Sequence, residues 1–446
     1  MLIRKFTPWY STCTRWASTK PKIAVVGSGP AGMFTCSGLL RRTDVDIDVF
    51  DAAPVPFGLV RYGVAPDHQE VKNCINLFDT MFNNNSKRLQ LFCNVRIGTD
   101  VSFAELKDNY DAVLLAHGSY KTRQLEIPGT DSENVISGSQ FVGWYNGLPN
   151  IQTPALDTKN AVIVGNGNVA LDCARILSTA NSGLLRKVDI PSDRLSVLEA
   201  SEINKIRVLG RRGPENVSFT IKEVREQFKV KGWDSKLEMS DADEKIMRDS
   251  LPTLDRRKKR LTEILLKNRD LVKGSKTCQF LFHRVPKKIL KNSRGRVEAL
   301  SVENKETGEE EVIDCGLLVY CLGYQPIVLD GVPKNANEMI DMKDQCRVNF
   351  PENERVYATG WCAHGAKGVI VDTQQQSALV ADQISSDLSN FDSSERNGVK
   401  NLLLDRKVSF ISWSEWKKID DEERKLGEKQ GKVREKFTSF DSFVKK

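Results

Sequence analysis

Glycine turns constrain the fold of this chain at two places. One is Gly27-Ser28-Gly29-Pro30-Ala31-Gly32, directly behind the apolar run at residues 23–26. The other is Gly165-Asn166-Gly167-Asn168-Val169-Ala170, directly behind residues 161–164. Each reads as a short buried strand, a tight turn and a helix, the arrangement that lays a pyrophosphate on a helix N-terminus. One such match is weak, because small glycine turns are common. Two in one chain, each behind an apolar strand, imply two dinucleotides on one protein and a hydride passed between them. The expected fold class is α/β, with two Rossmann-like dinucleotide-binding domains.

The residues beyond each turn separate the two sites. Asp51 closes the apolar run at residues 47–50 and lies 22 positions after Gly29. A carboxylate there accepts hydrogen bonds from adenosine ribose hydroxyls and repels an added 2′-phosphate, which suits FAD or NAD. Behind the second turn, residues 206–209 run into Gly210-Arg211-Arg212-Gly213-Pro214 instead of an acid. Guanidinium groups at that point favour a 2′-phosphate through charge-assisted hydrogen bonds, so the second site is expected to take NADP(H). A solvated turn is the plainer account of Arg211 and Arg212; their place between a strand and a Gly-Pro favours the phosphate.

A length of 446 residues suits two or three domains. No apolar run approaches the roughly 20 residues of a membrane helix. The net charge of +7 is unevenly spread: residues 1–20 hold Arg4, Lys5, Arg15 and Lys20, and the first acid is Asp44. Ser and Thr are frequent there and no continuous apolar core is present, so residues 1–20 read as a mitochondrial transit peptide. A disordered basic tail is the alternative. Among the ten cysteines there is no Cys-x-x-Cys pair, and Cys315 and Cys321 have five residues between them. That argues against a redox dithiol and against an iron–sulfur cluster in this chain. No metal and no nucleic-acid partner are expected.

Between the motifs, helices are expected at residues 33–40, 70–82, 169–177 and 372–388, with a helical, highly charged stretch at 241–271. Residues 91–98, 112–116, 312–322 and 356–359 read as strands. Residues 54–68 hold too many Pro and Gly for a helix or central strand and read as a long ordered loop. The tail from Val408, with Trp413 and Trp416, reads as a docked segment.

Several stretches resemble the mitochondrial adrenodoxin reductase family, NADPH–ferredoxin reductases of the glutathione-reductase-like flavoprotein type. They are residues 54–68, 140–147, 167–172, 210–214, 219–223, 260–263 and 368–370, in that order, and the likeness runs from about Lys22 to Lys436. The resemblance implies a FAD domain made discontinuous by an inserted NADP domain. The expected divisions are 21–119 and 336–446 for FAD and 120–335 for NADP. By this likeness Gly27, Gly29, Ala31, Gly32, Asp51, Leu59 and Val95 hold FAD. Trp361 and Gly368-Val369-Ile370 lie against the flavin, with Gly368 bordering the nicotinamide. Asn166, Gly167, Asn168 and Val169 cradle the NADPH pyrophosphate, Arg211 and Arg212 its 2′-phosphate, and Glu223 its adenosine side. His68 and Asp172 match the family's polar pair near the flavin ring and join Trp361 as candidate catalytic residues; a structural His and Asp are the plainer reading. Gln69 stands where the family has Pro.

The run Arg256-Arg257-Lys258-Lys259-Arg260 reads first as a solvated helix face. The family's acceptor is an acidic two-iron ferredoxin, and the likeness implies that Arg225, Arg256, Lys258 and Arg260 dock it. A monomer in the mitochondrial matrix is expected, with peripheral contact to the inner membrane left open. Two other classes remain: a flavin-dependent oxidase or monooxygenase, and a dinucleotide-binding redox scaffold without turnover. A glutamate synthase small subunit would need cluster-binding cysteines that the chain lacks.

Overall fold

Strands covered on both faces read as continuous apolar runs, and the two runs ahead of the glycine turns each take the centre of a parallel sheet. The computed structural model describes residues 20–269, 275–351, 354–389 and 396–444. The expected transit peptide, apart from Lys20, lies outside them.

The first sheet has five parallel strands in the order Val356–Ala358, Ala112–Leu115, Lys22–Val26, Asp46–Asp51, Leu89–Cys93. Side chains alternate between its faces. Ile23 and Val25 enter a core with the helices Pro30–Arg42 and Ile370–Leu388. Ala24 and Val26 enter another with Val101, Phe103 and Leu106.

The second sheet has six parallel strands in the order Val135–Ser137, Leu317–Tyr320, Asn160–Val164, Lys205–Leu209, Thr277–Leu281, Asp234–Glu238. Ala161 and Ile163 face the helix Asn168–Thr179. Val162 and Val164 face an antiparallel sheet of Arg284–Lys291, Val297–Asn304 and Glu310–Asp314. The chain leaves the first sheet after Leu115 and rejoins it at Val356, so the second sheet is an insertion. Lys121–Thr122 and Tyr324–Gln325, paired antiparallel, form the crossing.

Several expectations need correction. Residues 54–68 contain a five-residue helix, Gly58–Tyr62, because Phe57 adopts a left-handed φ of 82° and turns the chain into it. The helix expected at 70–82 is two, Gln69–Lys72 and Cys74–Asn84, parted at Asn73. The strand expected at 91–98 stops at Cys93, before Asn94 with φ 63°. Residues 312–322 divide between two sheets, Glu310–Asp314 and Leu317–Tyr320. The charged stretch at 241–271 forms Asp241–Ser250 and Arg256–Lys267; its last two residues lie outside the described ones. The tail does dock, through the helix Trp413–Lys429, with Trp416 buried beside Phe57 and Trp413 stacked on Phe82.

Candidate functional site

Register brings each glycine turn to the residues that follow the next strand. In the first sheet Val26 lies opposite Phe50, and the Gly27 amide donates to the Phe50 carbonyl at 2.7 Å. Asp51 therefore stands beside the turn, accepting from the Ser28 amide at 2.9 Å, from the Ser28 hydroxyl, and from the Ala53 amide at 2.9 Å. Burial pushes the Asp51 carboxyl up, against these donors. Gly27 has φ 111°, and a Cβ there would run into the Ala116 carbonyl. The helix after the turn has Gly29 at its N-cap, Pro30 in its first turn and no side-chain cap, so its free N–H groups face outward. Nothing lies within 4 Å of where a Gly29 Cβ would stand, which leaves the close approach that a pyrophosphate needs.

Around this turn, Leu59 is 37% exposed on the short helix whose Gly58 borders Gly29. The Val95 side chain is buried, and its amide donates to the Asp51 carbonyl at 2.9 Å. A Cβ on Gly360 would run into the Ala31 side chain; Gly360 precedes the turn Trp361–His364, with the Trp361 ring 5.5 Å from Tyr324. Gly368 and Val369 lead into Ile370–Leu388, whose Ser377 hydroxyl donates to the Ala31 carbonyl at 3.1 Å. Val369 and Val371 are 50% and 59% exposed. Asp372 in the first turn accepts from the Val369 amide at 2.9 Å, and the exposed apolar side chains beside it fit a flat aromatic cofactor.

In the second sheet Val164 lies opposite Leu209, so the turn at Gly165 and the Arg211–Arg212 pair leave neighbouring strands at the same end. The helix Asn168–Thr179 starts at Gly167 with no side-chain cap and no acid in its first turn. Asn168 Oδ1 accepts from the Thr220 amide at 2.8 Å, tying down the next loop. Asn166 Oδ1 is buried without a hydrogen-bond partner, and Val169 is half-buried. Arg211 and Arg212 are exposed, with a single long contact from Arg212 to the Asn216 carbonyl at 3.5 Å. Two exposed guanidinium groups, neither paired with an acid, beside an open helix N-terminus fit a phosphorylated dinucleotide.

The polar pair lies between the sheets. His68 Nε2 is 2.6 Å from Glu226 Oε2, and its Nδ1 is 4.0 Å from Glu223 Oε1. Ligand-capable atoms of His68, Asp172 and Glu223 lie within 4.8 Å of one another. The structure thus places Glu223 with the polar pair, and not beside the Arg211–Arg212 turn. The centre of this cluster is Arg175, which sequence reasoning missed. Its buried guanidinium donates to Asp67 at 2.6 and 3.1 Å, to Asp172 at 2.6 Å and to Glu223 at 2.8 Å. Glu226 lies 3.7 Å away. Burial raises Asp67, yet the bonds and charge of Arg175 outweigh it and lower that carboxyl overall. Burial, with the charge of Glu223 adding to it and Arg175 opposing it, pushes Asp172 up to about 8. A signal was available: Asp172 and Arg175 are three apart on one helix, as are Glu223 and Glu226 on another, so each pair shares a face.

Gln69 takes up a hydrogen-bonding role that Pro could not fill, donating to the Pro66 carbonyl and to Asp189 Oδ1, both at 2.7 Å. Arg225 is half-buried on the helix Ile221–Phe228, which touches the helix carrying Arg256, Lys258 and Arg260. Those three are exposed in that helix's first turns, where Asp255 caps it by accepting from the Arg257 and Lys258 amides. The nine cysteines among the described residues are unpaired.

This geometry agrees with the relatives found by comparison. A family model described as pyridine nucleotide-disulphide oxidoreductase matches residues 21–235. The chain is 39% identical to the mitochondrial NADPH:adrenodoxin oxidoreductase of Homo sapiens, over 94% of this chain and 90% of that one. It is 38% identical to that of Salvelinus fontinalis, over 97% and 93%. The chain belongs to the NADPH:adrenodoxin oxidoreductase family. Among solved structures, Mycobacterium tuberculosis FprA in complex with NADPH superposes with a TM-score of 0.88 at 30% identity, over 96% of this chain and 99% of that chain. Thioredoxin reductase from T. acidophilum, at 14% identity and a TM-score of 0.51, shares the fold. The α/β fold expected from the sequence, with parallel sheets like those of FAD/NAD(P)-binding reductases, is therefore shown.

Proposed function

We propose that this chain is a FAD-dependent NADPH:ferredoxin oxidoreductase, in which one NADPH and two oxidised two-iron ferredoxins give NADP⁺, a proton and two reduced ferredoxins. The observation that carries this is the pair of matched registers. One sheet sets a glycine turn beside Asp51, and the other sets one beside Arg211 and Arg212. Bound FAD would supply the conversion between two-electron and one-electron chemistry.

The chain's residues divide the remaining work. Gly27, Gly29, Ala31 and Gly32 shape the FAD pyrophosphate cradle, and Asp51 faces the adenosine ribose. Leu59, Val95, Trp361, Gly368, Val369 and Ile370 complete the flavin's surroundings. Asn166, Gly167, Asn168 and Val169 receive the NADPH pyrophosphate, and Arg211 and Arg212 select for its 2′-phosphate, while Glu223 stays with Arg175 and the polar pair. Hydride transfer needs alignment more than acid–base help, so holding the two halves in register is the main catalytic contribution. Asp172, raised to about 8, keeps a proton beside His68 and Glu223 near neutral pH.

A division near residue 119 sits beside Lys121–Thr122, while the return strand Tyr324–Gln325 favours a second division ahead of residue 335. The acceptor is an acidic ferredoxin docked on Arg225, Arg256, Lys258 and Arg260. A mitochondrial location suits both the names of the relatives and the acid-free N-terminal segment, and within it the protein is a monomer of the matrix. Among the described residues no helix is long and apolar enough to cross a membrane.

The test mixes purified yellow holoenzyme with NADPH and cytochrome c, with and without a two-iron ferredoxin. Reduction that requires ferredoxin is the expected result. Ferredoxin-independent reduction would make the chain an oxidase-type flavoprotein, and a flavin that NADPH does not bleach would make it a scaffold.

A further inference from the structure

The C-terminal residues 432–437 form a strap over the junction of the two units. On the inserted unit, the Val433 amide donates to the Lys187 carbonyl at 3.2 Å and Lys432 Nζ to the Ile190 carbonyl at 2.8 Å. On the other side, the Phe437 amide donates to Glu423 Oε1 at 2.9 Å, and Lys436 Nζ donates to the Arg61 carbonyl at 3.1 Å. Under the strap lies a cavity of about 180 Å³. At roughly 30 Å³ per water, it holds one small tetrahedral ion and a few waters.

Its lining carries five cations, Arg61, Lys72, Arg424, Arg434 and Lys436, and one acid, Asp189. The arginines are partly matched from behind: Arg61 and Arg434 by Glu423, and Arg424 and Arg434 by Asp420. Lys72 and Lys436 share the single carboxylate of Asp189, at 2.8 and 2.9 Å. Five positive groups, four of them buried and Arg424 exposed, thus meet three negative ones. Two buried donors of the lining, Arg61 Nε and Trp416 Nε1, have no hydrogen-bond partner. Unpaired buried donors and surplus buried cations each cost stability, and one acceptor-rich anion answers both. Burial, reinforced by Arg61 among the neighbouring cations and opposed by Asp189, also holds both lysine ammoniums below their ordinary value.

We propose that this cavity binds a small multivalent oxyanion, inorganic phosphate, and that the bound ion fastens the strap across the two dinucleotide-binding units. The site is separate from the Arg211–Arg212 turn and shares no residue with either cofactor cradle.

The experiment titrates inorganic phosphate against the thermal midpoint of the FAD-loaded protein at constant ionic strength set with chloride. A rise of about 2 °C is expected at phosphate about ten times the dissociation constant, continuing with the logarithm of the concentration. The rise should persist in Arg211→Ala/Arg212→Ala, which removes the other expected phosphate site, and vanish in Lys72→Met or Arg424→Gln. Crystals of the unaltered holoenzyme soaked in phosphate should show the ion between Arg61, Arg434 and Lys436, and this readout decides the matter if the variants fold poorly. No rise beyond that given by chloride at the same ionic strength, a rise lost with Arg211 and Arg212, or crystals with that cavity free of the ion would overturn the proposal.

Discussion

Replacing Arg175 with Met removes the one guanidinium that three carboxylates share. Its side chain is 4% exposed, and those of Asp172 and Glu223 are 16% and 11% exposed, so these two acids cannot recover their water. Asp67 and Glu226, at 27% and 33%, rehydrate in part. Breaking a buried ion pair by deleting one partner costs about 3–5 kcal/mol. With half of the acids partly wetted, the expected loss is near the lower end, about 3 kcal/mol at pH 8. The pH dependence has a definite sign. Without Arg175 the carboxyls titrate above their unfolded values, so the folded state binds more protons than the unfolded one and stability falls as pH rises. The loss relative to wild type should therefore shrink towards pH 6, where Asp172 holds a proton. Urea unfolding of the holoenzyme, followed by tryptophan fluorescence at both pH values, measures it. A loss below about 1 kcal/mol at pH 8, or one no larger there than at pH 6, would refute the claim that Arg175 neutralises this cluster.

Arg211→Ala/Arg212→Ala should raise the KM for NADPH by about 10- to 100-fold, with little change in kcat or in the KM for NADH, because both side chains act only on the 2′-phosphate; an equal effect on both nucleotides would place them elsewhere. Charge reversal at Arg256, Lys258 and Arg260 should depress ferredoxin-dependent cytochrome c reduction, most at low salt, while NADPH–ferricyanide activity stays unchanged. Parallel loss of both activities would count against a docking role. Asp172→Asn should leave stability near that of wild type at pH 4 and exceed it by more than about 1 kcal/mol at pH 8.5. The carboxyl is raised to about 8 when folded, so wild type loses stability as pH climbs from the unfolded value towards 8. Denaturant melts across that range would expose a flat difference, the contrary outcome.

What could be read in the sequence was local. A glycine turn, the strand ahead of it and the residue ending the next strand lie within some 50 positions of each other, and parallel register forces them together. The Arg175 cluster was harder, because it joins residues 67–68, 172–175 and 223–226 from three elements, and only the i,i+3 pairs on two helices hinted at it. The short helix at Gly58 was hidden by composition: Pro and Gly argued against it, whereas Phe57 supplied the turn with a left-handed φ that few side chains adopt. The antiparallel strands Arg284–Lys291 and Val297–Asn304 were passed over, since two register shifts and several charges interrupt their alternation.

The same split between local and long-range shows in how the two units are joined. The apolar clusters divide two and two between the sheets; among the described residues between the paired crossing strands, 123–323, only Leu148 packs on a core of the first sheet. The paired crossing is two residues long on each side. The junction is held instead by charge: Asp67 on Arg175 and His68 near Glu226 at one place, Lys72 and Lys436 on Asp189 at another. Apolar contact would bury as well after a slide of a few ångströms, but a forked guanidinium with three carboxylates has one good arrangement. Reduction by hydride depends on the two dinucleotides meeting at close range, and a directional, charged junction sets that meeting in a way that a greasy one does not. The ions at the junction are therefore better understood as fixing geometry than as adding net stability.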